Sequence, residues 1–114
     1  MSDLAIETIS EPTGMVVKLV GSADLGGSAT LDRQILILTA QHPKNVVFDL
    51  SRLEFISSLC MGSLVRFNNS CKHWGGKVSL AAATKAVDEA LRRARLNQVF
   101  TMCESVEKGL EVAT

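Results

Sequence analysis

The sequence lacks most of the features that mark the common functional classes. It has no excess charge of either sign: twelve basic and twelve acidic residues give a formal net charge of zero. It has no basic patch and no aromatic-interleaved basic run, so no nucleic-acid partner is expected. Its apolar runs fall far short of the ~20 residues needed to cross a bilayer, so no membrane insertion is expected. The N-terminus shows no charged-then-apolar signal segment. Cysteine is sparse, and Cys60, Cys71 and Cys103 are an odd number without CxxC spacing. On one helix face, Cys60 and Cys71 would stand ~16 Å apart by helical rise, too far to bridge. All three are expected to be reduced, mostly buried thiols of a cytoplasmic protein. The two histidines, His42 and His73, have no spacing that makes a metal site or a triad, and they read as solvated surface residues. Gly21, Gly26 and Gly27 match neither a dinucleotide fingerprint nor a phosphate-binding loop. Neither a metal nor a cofactor is expected.

What is present is enough for a core. The chain has 114 residues, 46% of them hydrophobic, and reads as a single domain over 1–114 without repeats, linkers or low-complexity tracts. Leu4, Ile6 and Ile9 suggest a first strand, and Glu11-Pro12-Thr13-Gly14 a turn. Met15 to Val20 predicts a second strand in a hairpin with the first, and Gly21 to Gly27 a loop. Leu31, Ile35 and Leu38 fall at helical spacing within Ala29 to Gln41, with Ser28 as the expected cap and His42-Pro43 as the end. Lys77 to Ala81 is a further strand. Thr84 to Arg95 is helical with Val87, Leu91 and Ala94 inward, and Val99-Phe100 a short edge strand. Ser105 caps a last helix carrying Val106, Leu110 and Ala113. Strands alternating with helices imply parallel pairs and right-handed crossovers, hence a small α/β fold.

The chain is organised around Asn45 to Trp74. Val46-Val47-Phe48 suits a buried strand, followed by a polar turn and then Leu53, Phe55 and Ile56. From Leu59 the period becomes helical: Cys60, Leu64, Phe67, Cys71 and Trp74 share one face. Ser57 and Ser58 therefore lie at the first turn of a helix that follows a buried strand. Serine there caps free N–H groups, and an anion is well tolerated there. Leu59 projects away from the stripe, with Ser63, Arg66, Ser70 and His73, and with Met61 near it offers an apolar contact beside the serines. Asp24 reads either as a turn or cap side chain or as a residue lining the same end of the sheet. Cys60, near a helix N-terminus, lies on the core stripe, so packing outweighs reactivity. An enzyme with Ser58 or Cys60 as nucleophile would need a general base that the sequence does not supply.

The segment FDLSRLEFISSLCMGSLVRF resembles the central motif of the STAS domain family (sulfate transporter and anti-sigma factor antagonist). GSADLGGSATL at Gly21 to Leu31 is similar to the family's lead into its first helix, and VDEALRRARLNQVF at Val87 to Phe100 to its late helix, loop and last strand. The resemblance covers nearly the whole chain. It implies a STAS-like mixed sheet of about five strands packed with about four helices, and a non-enzymatic role. Soluble members are antagonists in partner-switching circuits: they bind an anti-sigma-type serine kinase, are phosphorylated on a serine that loosens the complex, and are restored by a serine phosphatase. By position that serine is Ser58, with Ser57 as the alternative acceptor. Asp24 matches the family's loop acid and Asp49 its acid at the strand end. Partner-binding residues are then Asp24, Ser57, Ser58, Leu59 and Met61. This chain has Ser57 where the family usually has an acid, Leu59 for a usual serine or threonine, and Cys60 for a usual glycine. The alternative implied role is an unphosphorylated docking module, or an accessory subunit of a transport or signalling assembly.

Overall fold

The computed structural model describes residues 4–111. The elements run β1 (Ala5–Glu11), β2 (Gly14–Ala23), α1 (Ser28–Gln41), β3 (Asn45–Ile56), α2 (Ser58–Lys72), β4 (Lys77–Ala81), α3 (Lys85–Arg93), β5 (Thr101–Cys103) and α4 (Val106–Glu111), with a single 3-10 turn at Leu96–Gln98. The five strands form one sheet in sequence order. β1 and β2 pair antiparallel across the Pro12-Thr13 turn, and the remaining neighbours pair parallel. No helix among the described residues is long and apolar enough to cross a membrane.

Side chains on a strand alternate between its two faces. Val46, Phe48 and Leu50 of β3 join Leu31 and Leu38 of α1, Leu64 and Phe67 of α2, and Val87 and Leu91 of α3 in one buried cluster. Phe48 and Phe67 meet edge-on at 6.0 Å. Val47 faces the other way, onto α4, where a Cβ on Gly109 would come within 2.9 Å of the valine side chain. Only glycine lets α4 lie that close. The Asn45 amide holds this end together by donating to the carbonyls of Thr13 (3.2 Å) and Gly109 (3.3 Å).

β3 departs from the expected strand-then-turn. It is one strand of 12 residues, with no turn after Phe48. Its pairing with β2 slips twice, between Lys18 and Val20 and between Gly21 and Ser22. Each slip inserts one extra β3 residue and rotates the strand by one face. Inward positions therefore fall at Leu50, Leu53 and Ile56, three apart instead of two, and Phe55 turns outward. Gly21, at φ +104°, supplies the backbone conformation at the second slip. β2 accordingly continues to Ala23, so Gly21 to Ala23 are strand and the loop shortens to residues 24–27.

Other expectations shift by smaller amounts. The cap position of α1 is Gly27, not Ser28; Ser28 opens the helix and its hydroxyl donates to the Leu25 carbonyl (2.8 Å). Ala94 is exposed, and Ala90 packs against the core in its place. The last strand lies at Thr101–Cys103 and not at Val99-Phe100, because the 3-10 turn carries the chain further before it pairs. Ser105 does accept from the Lys108 amide (3.2 Å) at the start of α4, whose buried residue is Gly109 rather than Leu110; Ala113 lies outside the described residues. Trp74 lies past the end of α2, half-buried, and His42, exposed as expected, stacks on it at 4.4 Å.

Candidate functional site

The parallel strands β2, β3 and β4 end on one edge of the sheet, where loops lead into helix N-termini. In open α/β sheets this edge is where ligands and partners are met. Ala23 and Ile56 close the β2–β3 ladder as a pair. The next residue, Ser57, keeps an extended backbone and donates its N–H to the Ala23 carbonyl at 2.8 Å. Its Oγ accepts from the Cys60 amide at 3.2 Å. Ser57 is thus the N-cap of α2, only 8% exposed, while Ser58 is the first helical residue and is exposed. The two serines differ sharply in access although the sequence sets them side by side.

The loop after β2 packs against this first turn. The Cys60 thiol reaches the Asp24 carbonyl at 3.6 Å. Asp24, half-buried, accepts the Gly27 amide on both its backbone carbonyl and its carboxylate Oδ1, each at 3.0 Å. Asp24 therefore does both things the sequence allowed: it shapes a turn and it lies at the site. That turn pushes Leu25 into solvent, 70% exposed; Leu59 is 48% exposed and Phe55 51%. These three large apolar side chains sit at the end of the sheet that carries Ser58. Met61 is half-buried against the core. Leu25 and Phe55 were missed by sequence reasoning. Leu25 sits in a loop without periodicity, and Phe55 is turned outward only by the second slip in β3.

Asp49 is not at the strand end. It sits in mid-strand, pairs in register with Lys18 and Ala81, and accepts the Ser51 amide (3.0 Å). Seven residue steps along the strand lead from it to Ile56, ~23 Å by strand rise. Ser63, grouped with the outward side of α2 in the sequence, is buried. Its hydroxyl donates to Asp32 of α1 and accepts from Arg66 (3.1 Å), fastening α1 to α2 beside Leu59. The Asp32–Arg66 ion pair itself spans 3.9 Å and is well exposed, so it adds little stability.

The electrostatics of Cys60 oppose nucleophilic use. Burial pushes its thiol pKa up; the Ser57 side chain pulls it down, and the carboxylates of Asp32 and Asp24 push it up further. Burial lifts Cys71 to about 11. Both thiols are therefore protonated at neutral pH and out of contact with solvent. Iodoacetamide at pH 7.5 is expected to label the half-buried Cys103 first and Cys60 and Cys71 only on unfolding. Rapid labelling of Cys60 in the native protein would overturn this account of the first turn. His73 caps the C-terminus of α2, 15 residues from Ser58 and ~22 Å away by helical rise, so it is no base for that serine.

The model of the STAS domain family matches residues 4–109. The chain belongs to the STAS domain family. The solved structures it resembles include an anti-sigma factor antagonist from Mycobacterium paratuberculosis, at 20% identity over 97% of this chain and 94% of that one, with a TM-score of 0.89. The anti-sigma factor antagonist SpoIIAA in its unphosphorylated form matches at 16% identity over 95% of each chain, with a TM-score of 0.80. The phosphorylated form of SpoIIAA, the Bacillus cell fate determinant, matches at 15% identity over 96% of this chain and 100% of that one, with a TM-score of 0.73. At these identities the likeness establishes the STAS fold.

Proposed function

We propose that this STAS domain is an anti-sigma factor antagonist-like, partner-switching regulator. It docks an anti-sigma-type serine kinase at the end of the sheet that carries Ser58, is phosphorylated by that kinase, and is reset by a serine phosphatase. On this reading it is a binding protein rather than an enzyme. The observation that carries the proposal is the exposed Ser58 at the first position of α2, at the apolar edge formed by Leu25, Phe55 and Leu59. Ser58 is favoured over Ser57 because the Ser57 hydroxyl is buried and already committed to the Cys60 amide.

The physical chemistry suits a switch. Phosphoserine brings about −1.5 to −2 charges at pH 7. The helix N-terminus tolerates them, so the fold is spared. A partner packed over the neighbouring apolar side chains would have to desolvate that charge, at a cost of several kcal/mol unless it is paired. Phosphorylation then changes binding without unfolding the domain.

Phosphopeptide mapping after incubation with an anti-sigma-type kinase, alongside mass spectrometry of the protein from its native cells, tests the proposal. The label is expected on Ser58, lost in Ser58→Ala and kept in Ser57→Ala. Ser58→Ala should lose no more than about 0.5 kcal/mol of stability, because it is not the cap, whereas Ser57→Ala should lose about 0.5–2 kcal/mol. If neither serine is labelled and Ser58→Asp binds its partner as tightly as the parent, a constitutive docking module replaces the switch.

A further inference from the structure

We infer that the outer strand β1 docks a second copy of this chain, the two β1 strands pairing antiparallel about a two-fold axis at Thr8. β1 and β5 are the two outer strands of the sheet. An unpaired outer strand is a template for another strand, and proteins blunt it by shortness, proline, lysine or a bulge. β5 is blunted by its length of three residues. β1 has seven residues, Ala5–Glu11, contains neither proline nor lysine, and pairs with β2 without a bulge. The two-residue turn after it makes Glu11 and Gly14 a hydrogen-bonded pair, and such pairs alternate along the ladder with pairs that exchange no bonds. Ile9, Glu7 and Ala5 therefore bond to β2, whereas the N–H and C=O groups of Ile6, Thr8 and Ser10 point away from it. No other hydrogen bond among the described residues takes those groups up.

The sequence of β1 selects both the occupant and the register. About a dyad at Thr8, Ile6, Thr8 and Ser10 meet Ser10, Thr8 and Ile6 of the second copy, three pairs that exchange two bonds each. Glu7 falls opposite Ile9 and Glu11 opposite Ala5, so no carboxylate stands directly against another. Each Glu7 is also in register with Lys18 of its own β2. A dyad at Glu7 would oppose the two Glu7 side chains, and one at Ile9 would set Glu7 against Glu11; like charges so placed are destabilising. α1 supports the same pairing. Its Asp32 is bonded to Ser63 of α2, so α1 turns its other flank towards the β1 side of the sheet. That flank is Thr30, Gln34, Ile37 and Gln41, at i, i+4, i+7 and i+11. It carries no charge, and Ile37 is 50% exposed. In the pair, the two Ile37 side chains face each other above the joined strands, and two five-stranded sheets become one. The dyad reverses the parallel strands of the second copy, so the two Ser58 ends lie at opposite ends of the dimer and both stay open.

Sedimentation equilibrium on the full chain is expected to show the mass of one chain rising to that of two between about 1 µM and 1 mM. Over the same range, amide hydrogen exchange followed by NMR should slow by about threefold or more at Ile6, Thr8 and Ser10, and stay as it was at Glu7 and Ile9, which β2 already protects. Ala5 is exposed and falls opposite Glu11 of the second copy, so it reads the register without touching the core. Ala5→Lys should tighten the dimer by about 2–10-fold, and Ala5→Glu should weaken it by a similar factor. Thr8→Pro removes an outward N–H that β2 does not use; it should keep the parent's circular dichroism and remain a monomer. If Thr8→Pro does not fold, the two Ala5 variants decide in its place. A chain that is monomeric at about 1 mM overturns the inference. So does a dimer in which Ile6, Thr8 and Ser10 exchange as fast as in the monomer, or one that binds equally tightly with lysine and with glutamate at position 5.

Discussion

Leu64→Ala is expected to lower the unfolding free energy by about 2–5 kcal/mol, a large part of the 5–15 kcal/mol typical of a domain. Leu64 is fully buried and packs with Phe48, Phe67 and Cys60 in the cluster between the sheet and its three covering helices. Removing its three terminal carbons loses their transfer free energy and leaves a cavity. The walls cannot close it readily, since α2 is fixed at its start by the Ser57 cap and along its length by the Ser63–Asp32 bond. Urea titration should show a lower midpoint with an unchanged slope. Arg66→Ala, two residues on and exposed, should stay within about 0.5 kcal/mol. A Leu64→Ala loss below about 1 kcal/mol would mean that the buried stripe of α2 has been assigned to the wrong face.

That stripe was legible because helical periodicity is a local signal. Cys60, Leu64, Phe67 and Cys71 are all buried as their spacing requires. The element order was legible for the same reason, since each change of period or turn signal lies within a few residues. The course of β3 was not. Its run Asp49 to Arg52 is polar enough to read as a turn, yet it remains strand because β2 pairs with it on one side across both register slips. A slip is a property of two strands and leaves no mark in either alone. It moved Phe55 to the surface and placed Asp49 far from the site. The division of labour between Ser57 and Ser58 was hidden likewise. Either serine satisfies the cap pattern, and only the Ser57–Ala23 bond between strand and loop fixes which residue turns inward.

The surface that those long-range constraints expose should carry most of the binding energy. On the proposed reading, Leu59→Ala and Phe55→Ala are each expected to weaken binding of the proposed serine kinase by about 5–30-fold, and together by about 100-fold or more. The estimate follows from area. Each side chain is about half exposed in the free domain, and covering the remaining half is worth about 1–2 kcal/mol at ~25 cal/mol per Å². Because the two residues stand at the same end of the sheet, the double variant need not equal the sum of the singles. Neither change should alter folding stability by more than about 0.5 kcal/mol for Leu59, or about 1 kcal/mol for Phe55 at the end of a strand. Leu36, 71% exposed on α1, provides the control. It is as apolar and more exposed, but it stands eight residues past Ser28 along α1, ~12 Å by helical rise, and away from the edge that carries Ser58. Leu36→Ala should bind as the parent does. Isothermal titration calorimetry against the unphosphorylated and Ser58→Asp proteins separates the apolar term from the charge. If Leu36→Ala weakens binding while the Phe55 and Leu59 double variant does not, the kinase docks on the outer face of α1, and Ser58 is then too distant for its phosphate to be desolvated by that contact.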